Sequence, residues 1–349
     1  SKYRWWYYMK HTVDLSKYQI RTDLAIDLVD SNKIESEIIT DNKIKTTRTI
    51  INKHIAKEIN KKEGYYVTIE FEDVTDTKNK EEVEEVFTRE IKNILNISNI
   101  KEKDTALIIG LGNPLSTPDS LGPYVIDDIL VTRHIYALGE LVEDYRCVSA
   151  IKPGVTGTTG IETSDFIKST INTIKPDFII VIDALASKSL HRINKTIQIS
   201  NTGISPGSGI GNERKEISKE TMGIPVIAIG IPTVVDAITI VSDTINYMYK
   251  YYAFHKDYSK NPISNLTLAS SINYLNRDIE VKKEDKENLL GLIGTFEEDE
   301  VRELLFEVLS PVGYNLMVTT KEIDFIIEKL SNILSSGINK ALHKKYKSL

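Results

Sequence analysis

Two short apolar runs most strongly constrain what this chain can fold into. The first is Ala-Leu-Ile-Ile-Gly-Leu at 106–111, and the second is Phe-Ile-Ile-Val-Ile at 178–182, which Asp183 follows. Short runs rich in Ile and Val are typical of strands that are buried on both faces, as in a parallel sheet. We therefore predict two buried strands, each of which stops abruptly where its apolar run meets a Gly or an Asp.

From residue 105 onward, predicted strands alternate with predicted helices. This alternation implies right-handed crossovers between neighbouring strands. The predicted fold class is therefore α/β, with a mainly parallel twisted sheet flanked by helices. We expect strands at 106–111, 146–151, 177–182, 196–199 and 225–229, and helices at 120–135, 163–174 and 234–252.

Other patterns flank this alternating region. Residues 64–72 alternate like a half-exposed strand, and 78–95 have the apolar spacing of an exposed helix. Residues from about 258 to 321 are rich in Lys and Glu and indicate an insertion. An amphipathic helix is expected at 322–343.

The composition is that of an ordinary globular protein: of 349 residues, 41% are hydrophobic and 27% are charged. The net charge of −6 argues against a nucleic-acid-binding surface over the whole protein. No run of about 18 apolar residues occurs, so we expect no membrane span. The single cysteine, Cys147, excludes an internal disulfide, and we expect a buried thiol rather than a nucleophile. The histidines lack metal-site spacing, so no metal or cofactor is expected.

Asp119 and Asp183 are the candidate catalytic residues. Ligands of open parallel sheets bind beyond the carboxyl ends of the strands, and two carboxylates at one such edge suggest an acid–base pair. Asp119 is equally suited to cap the helix that follows it, and Asp183 also fits a buried carboxylate held by loop amides. Lys188, His191 and Arg192 follow Asp183 and offer it positive neighbours.

Two glycine-rich loops, the first at 152–160 and the second at 202–212, are expected at the same edge. Their backbone N–H groups are suited to hold a substrate or a developing oxyanion. The alternative is that these glycines only allow tight turns, which need a positive φ. Neither loop matches a nucleotide-binding pattern. The candidate glycines are Gly154, Gly157, Gly160, Gly207, Gly209 and Gly211.

Several strings, in order from about residue 14 to the C-terminus, together resemble the germination protease of endospore-forming bacteria. The most specific is Thr-Pro-Asp-Ser-Leu-Gly-Pro at 117–123, which holds Asp119. One departure is Thr320, where the family commonly has Pro. The other strings are Arg-Thr-Asp-Leu-Ala at 21–25, Gly-Leu-Gly-Asn at 110–113, Leu-Val-Thr-Arg-His at 130–134, Gly-Thr-Thr-Gly-Ile-Glu-Thr-Ser-Asp at 157–165, Ile-Asp-Ala-Leu-Ala at 182–186, Pro-Gly-Ser-Gly-Ile-Gly-Asn at 206–212, Pro-Thr-Val-Val-Asp at 232–236 and Asn-Leu-Met-Val-Thr-Thr-Lys-Glu-Ile-Asp at 315–324.

The resemblance implies a fold similar to hydrogenase-maturation peptidases and phosphorylase-like proteins. It implies an endopeptidase of the spore core, in the cytoplasm of the forespore, which begins the degradation of small acid-soluble spore proteins. It also implies a homotetramer that is made as an inactive zymogen. The aspartates proposed as catalytic in this family fall on Asp119 and Asp183.

An N-terminal switch is a further implication of the resemblance. The family cleaves sequences similar to Thr-Glu-Ile-Ala or Thr-Glu-Phe-Ala, and this chain has Thr-Asp-Leu-Ala at 22–25. Self-cleavage would then fall between Asp23 and Leu24. Residues 1–23 would form an N-terminal extension and propeptide, and residues 24–349 a single peptidase domain with an insertion at about 258–321.

The expected chemistry is hydrolysis of a peptide bond by water. One of Asp119 and Asp183, ionised, would take a proton from water, and the other, protonated, would polarise the carbonyl or protonate the leaving amine. Which aspartate is the base stays open at this point. The alternatives are a metal-assisted peptidase with the same carboxylates, a non-catalytic peptide-binding protein, and an enzyme that acts on nucleosides or phosphate.

Overall fold

The structure is a computed structural model that describes residues 24, 34, 36–58, 61–139, 144–207, 214–258, 274–276, 279–313 and 316–346. These residues fall into two compact units. The first unit contains the described parts of Arg21–Val235 and Val318–Leu349, and the second those of Asp236–Met317. Both candidate carboxylates, Asp119 and Asp183, belong to the first unit.

A nine-stranded sheet dominates the described part of the chain. Its strands are β1 Ser36–Asp41, β2 Ile44–Ile51, β3 Gly64–Glu70, β4 Ala106–Gly110, β5 Val148–Ile151, β6 Phe178–Ser187, β7 Thr196–Ser200, β8 Val226–Asp236 and β9 Met317–Val318. Neighbours run in the order β1-β2-β3-β7-β8-β6-β4-β5, and β9 pairs with β8.

The sheet has a parallel half and an antiparallel half. Strands β8, β6, β4 and β5 are parallel to one another. Strands β1, β2, β3, β7 and β8 pair in antiparallel fashion. The parallel half contains the strand–helix alternation that the sequence predicts from residue 105, and it holds both candidate aspartates.

Helices flank the sheet, which confirms the predicted α/β class. The helices of the first unit are α1 Lys53–Glu58, α2 Thr77–Ile97, α3 Leu121–Asp127, α4 Arg133–Ala137, α5 Thr156–Thr159, α6 Thr163–Ile174, α7 Lys219–Met222 and α11 Ile323–Leu342, and those of the second are α8 Ala237–Tyr258, α9 Lys283–Leu290 and α10 Glu298–Gly313. No helix in these described ranges is long and apolar enough to cross a membrane.

Both faces of the parallel strands are buried, which explains their continuous apolar sequence. Ile108 of β4 and Leu334 of α11 belong to one core cluster. Leu107 and Ile109 point to the opposite face, where they share a second cluster with Ile167 of α6. Side chains of a strand alternate between faces, so each strand needs apolar residues at successive positions.

The predicted helix at 120–135 is wrong in its length. The chain forms α3 and α4 instead, because backbone groups between them bond to other elements. The N–H of Leu130 donates to the side chain of Asn339 (2.9 Å), and the N–H of Thr132 donates to the carbonyl of Val148 (3.0 Å). These long-range bonds replace the local bonds of a continuous helix.

The strands predicted at 177–182 and 225–229 are both too short. Strands β6 and β8 pair in parallel register as far as Ser187 opposite Val235. Asp183 therefore lies within β6, opposite Gly230 of β8, rather than after the end of its strand. Because β8 supplies backbone partners beyond this point, the polar side chain of Asp183 does not terminate β6.

The second unit is helical and begins before the predicted insertion at about 258. Helices α9 and α10 both pack against α8. Arg302 of α10 is buried and donates from Nη2 to Glu298 Oε1 (2.9 Å). Lys256 of α8 pairs with Asp285 of α9 (2.5 Å).

Candidate active site

The loop after β4 positions Asp119. A short 3-10 turn, Thr117–Asp119, precedes α3, and the Oδ2 atom of Asp119 accepts the N–H of Asn113 (2.9 Å). The backbone carbonyl of Asp119 accepts the same N–H (3.0 Å). Asp119 does not cap α3, since the N-cap residue is Ser120 and no side chain makes a capping bond there. The carboxyl group is therefore held by its own loop.

Gly112 allows this loop to fold back on itself. It has a φ of +114°, and a Cβ atom at this position would lie 2.0 Å from the carbonyl oxygen of Asp119. Any larger residue would therefore displace Asp119. On the other side of the turn, the hydroxyl of Thr233 in β8 donates to the carbonyl of Pro118 (2.6 Å).

Asp183 lies beside the end of β4. The N–H of Leu111, the first residue after β4, donates to the carbonyl of Ile182 (2.8 Å). The turn Thr117–Asp119 packs against β6. The side chain of Asp183 is only 6% exposed, and its Oδ1 atom accepts the N–H of Ala184 (2.9 Å). The structure thus brings both candidate aspartates to the carboxyl end of β4, Asp119 from the loop after that strand and Asp183 from the adjacent strand β6.

Burial changes the acidity of Asp119. Removal from water raises the pKa of its carboxyl group to about 6, although the hydrogen bond from Asn113 and the positive charge of Arg214 both act to lower it. Desolvation penalises the charged form and outweighs these two effects. Asp119 is therefore partly protonated in mildly acidic solution, a state that an ordinary surface aspartate does not reach there.

Arg214 is the functional candidate that sequence reasoning missed. It follows the second glycine-rich loop, and its Nη1 atom donates to the hydroxyl of Thr156 (3.0 Å), in the helix of the first glycine-rich loop. Its charge also acts on Asp119. In sequence it lies within Glu-Arg-Lys-Glu at 213–216, a pattern typical of a solvated surface. Only the folded chain brings it to Asp119.

Three of the candidate glycines have the positive φ values that the turn alternative predicts. Gly154, Gly160 and Gly207 have φ values of +72°, +70° and +74°. Gly157 lies within α5, and a Cβ atom there would meet nothing within 4 Å. Gly209 and Gly211 lie outside the described residues.

The proposed self-cleavage site is described only on its carboxyl side. Leu24 is fully buried, with 0% of its surface exposed. Asp23 lies outside the described residues.

Of the cations predicted near Asp183, Arg192 pairs with a different carboxylate. Arg192 donates from Nε to Glu70 Oε1 of β3 (3.3 Å), and His191 is exposed. Lys188 is half-buried. Among His, Cys, Asp and Glu side chains of the described residues, no three come together in an arrangement that could hold a metal ion.

Cys147 lies at the opposite end of the parallel strands. Its carbonyl accepts the N–H of Ala106, the first residue of β4, whereas Asp119 and Asp183 lie beyond the last. The residue is half-buried rather than buried as the sequence predicts. Burial raises the pKa of its thiol, which disfavours the nucleophilic thiolate.

We therefore expect Cys147→Ser to retain at least about half of the wild-type peptidase activity, since its thiol is remote from the candidate carboxylates and poorly ionised. A peptide-cleavage assay, with thermal unfolding measured in parallel, checks this. Loss of activity at unchanged stability, together with inactivation of the wild type by a thiol reagent, would identify Cys147 as the nucleophile instead.

Comparisons with known proteins agree with the resemblance of the motifs. The chain is 46% identical to the germination protease of Geobacillus sp. (strain WCH70), over 97% of each chain. It is 45% identical to that of Bacillus mycoides, over 96% of each. Among solved structures, the [NiFe] hydrogenase maturation protease HycI from Thermococcus kodakarensis has a TM-score of 0.28 and 19% identity, over 41% of this chain and 80% of that one. The germination protease family model matches residues 16–348, so the chain belongs to this family and is a protease.

Proposed function

We propose that this protein is an endopeptidase that starts the degradation of small acid-soluble spore proteins at germination, and that Asp119 and Asp183 activate the attacking water. One observation carries the proposal: two buried or partly buried carboxyl groups lie beyond the carboxyl end of β4, one of them on the adjacent strand β6, and the pKa of the other is raised to about 6. A carboxyl group with a raised pKa is typical of a general acid, and a second carboxylate at the same site can serve as the base.

In the proposed mechanism, Asp119 is the protonated member, because burial favours its neutral form. Asp183, ionised, takes a proton from water as the water oxygen attacks the carbonyl carbon of the substrate. Asp119 gives its proton to the leaving amine as the carbon–nitrogen bond breaks. A proton then returns from Asp183 to Asp119 through solvent, which restores the pair.

Backbone N–H groups of the glycine-rich loops are the proposed donors to the oxyanion. Gly154 has a positive φ value, and backbone of this kind can direct successive N–H groups toward an anion, whereas the N–H of Gly160 already donates to the carbonyl of Thr156 (2.8 Å). Such donors stabilise the tetrahedral intermediate because its charge develops on the carbonyl oxygen.

The chain is proposed to be made as a zymogen that assembles as a homotetramer in the spore core. Residues 1–23 would be removed by cleavage between Asp23 and Leu24. The complete burial of Leu24 supports a bound rather than a free segment on the carboxyl side of that bond. A tethered segment has a high effective concentration, so even a weak fit to the active site would block it.

The function is tested with the purified chain after incubation at mildly acidic pH, mixed with a small acid-soluble spore protein that carries Thr-Glu-Ile-Ala. We expect one cleavage, between Glu and Ile, and we expect it to persist in EDTA because the aspartates themselves activate the water. Mass spectrometry of the products identifies the bond. Cleavage that a chelator abolishes and a divalent metal ion restores would replace this mechanism with a metal-assisted one.

A further inference from the structure

Within the described part of the chain, the side chain of Arg214 makes one hydrogen bond and leaves most of its N–H donors without a partner. The side chain is half-buried, and its Nη1 atom donates to Thr156 (3.0 Å). Within the described residues, no carboxylate oxygen lies within the 4 Å that would make an ion pair with it. A guanidinium group has five N–H donors and stays charged at all relevant pH values. A charged guanidinium group whose donors lack a carboxylate partner is well suited to bind an anion.

The neighbours of Arg214 behave differently. Lys215 pairs with Asp165 of α6 (3.0 Å), and Glu216 pairs with Lys62 (2.6 Å). These two ion pairs attach the two residues that follow Arg214 to other parts of the fold. The position of Arg214 is therefore fixed by its neighbours, while its own charge is not matched by a described carboxylate.

The charge of Arg214 reaches Asp119 but does not neutralise it. Despite the arginine, the pKa of Asp119 is raised to about 6, so this carboxyl group is a weak partner when it carries a proton. An arginine beside a protonated carboxyl group has its planar donors available for another carboxylate, which they can bind in bidentate fashion.

We infer that Arg214 is a specificity-determining residue that binds the acidic side chain immediately before the scissile bond of the substrate. The inference rests on the proposed function, because it requires the scissile bond to lie at Asp119 and Asp183. The side chain next to that bond would then be close to Arg214. In this chain the residue before the proposed self-cleavage bond is Asp23.

A double-mutant cycle on the full-length chain tests this pairing. The rate of processing between Asp23 and Leu24 is followed by N-terminal mass in the wild type, Arg214→Gln, Asp23→Asn and the double variant. We expect each single change to slow processing by about 10- to 100-fold, as for loss of a charge-assisted hydrogen bond. The double variant should be no slower than the slower single variant, since both changes remove one interaction.

Lys168→Gln is the matched control, because Lys168 is an exposed residue of α6 and its replacement also removes one positive charge; we expect this variant to process at the wild-type rate. Circular dichroism establishes that each variant is folded. Effects that multiply in the double variant would overturn the inference and give Arg214 a role in the reaction of all substrates. Failure of the proposed function would give a different result. In that case Asp183→Asn would be processed at the same rate as the wild type. A wild type that cleaves neither itself between Asp23 and Leu24 nor the small acid-soluble spore protein removes both.

Discussion

Replacing either Asp119 or Asp183 with Asn abolishes proteolysis in a protein that stays folded; this is the largest effect we expect. An amide can neither take a proton from water nor give one to the leaving amine. Loss of a general acid or base typically lowers the rate by about 10²- to 10⁴-fold. Initial rates on a peptide that carries Thr-Glu-Ile-Ala measure this for both variants.

Both variants should keep their local structure. The side-chain oxygen of Asn can accept the same backbone N–H groups, from Asn113 at position 119 and from Ala184 at position 183. Asp41→Asn is the matched control, because Asp41 is exposed at the end of β1, in the antiparallel half of the sheet. Circular dichroism and thermal unfolding give the folded state. Full activity in either folded variant would remove that aspartate from the mechanism.

The candidate carboxylates were predictable from sequence because the apolar runs before them are unambiguous. Such runs show buried parallel strands, and parallel strands bring their carboxyl ends to one edge of a sheet. The length of β6 was less predictable. The sequence places a polar residue at 183, but Gly230 and the residues after it in β8 continue the pairing from the neighbouring strand. A single strand's sequence carries no information about the length of its partner.

The antiparallel half of the sheet and the role of Arg214 illustrate two other limits. The β1–β2 hairpin has polar residues on both faces, so its pattern does not distinguish a strand from a loop. Arg214 and Thr156 are 58 residues apart, and no local pattern connects them. Contacts of this kind depend on how the loops after β5 and β7 meet, which is a property of the folded chain.

Self-processing of the full-length chain should depend steeply on pH. In the proposed mechanism Asp119 acts with its proton, and its pKa is raised to about 6. The protonated fraction is then nearly complete below about pH 5 and falls tenfold for each unit above about pH 6. We therefore expect cleavage between Asp23 and Leu24 to be roughly 25-fold faster at about pH 5.5 than at about pH 7.5. N-terminal mass measured against time at each pH gives these rates.

A second titrating group must be separated from Asp119, because protonation of Asp23 would also reduce the cost of burying the substrate carboxylate. Asp23→Asn removes that group. If Asp119 sets the pH dependence, this variant is slower at every pH but shows the same fall above about pH 6. A flat profile in Asp23→Asn would assign the dependence to the substrate. Processing that proceeds unchanged in purified Asp183→Asn, or at an unrelated bond, would contradict self-cleavage altogether, because the proposed reaction needs an ionised Asp183 to take the proton from water.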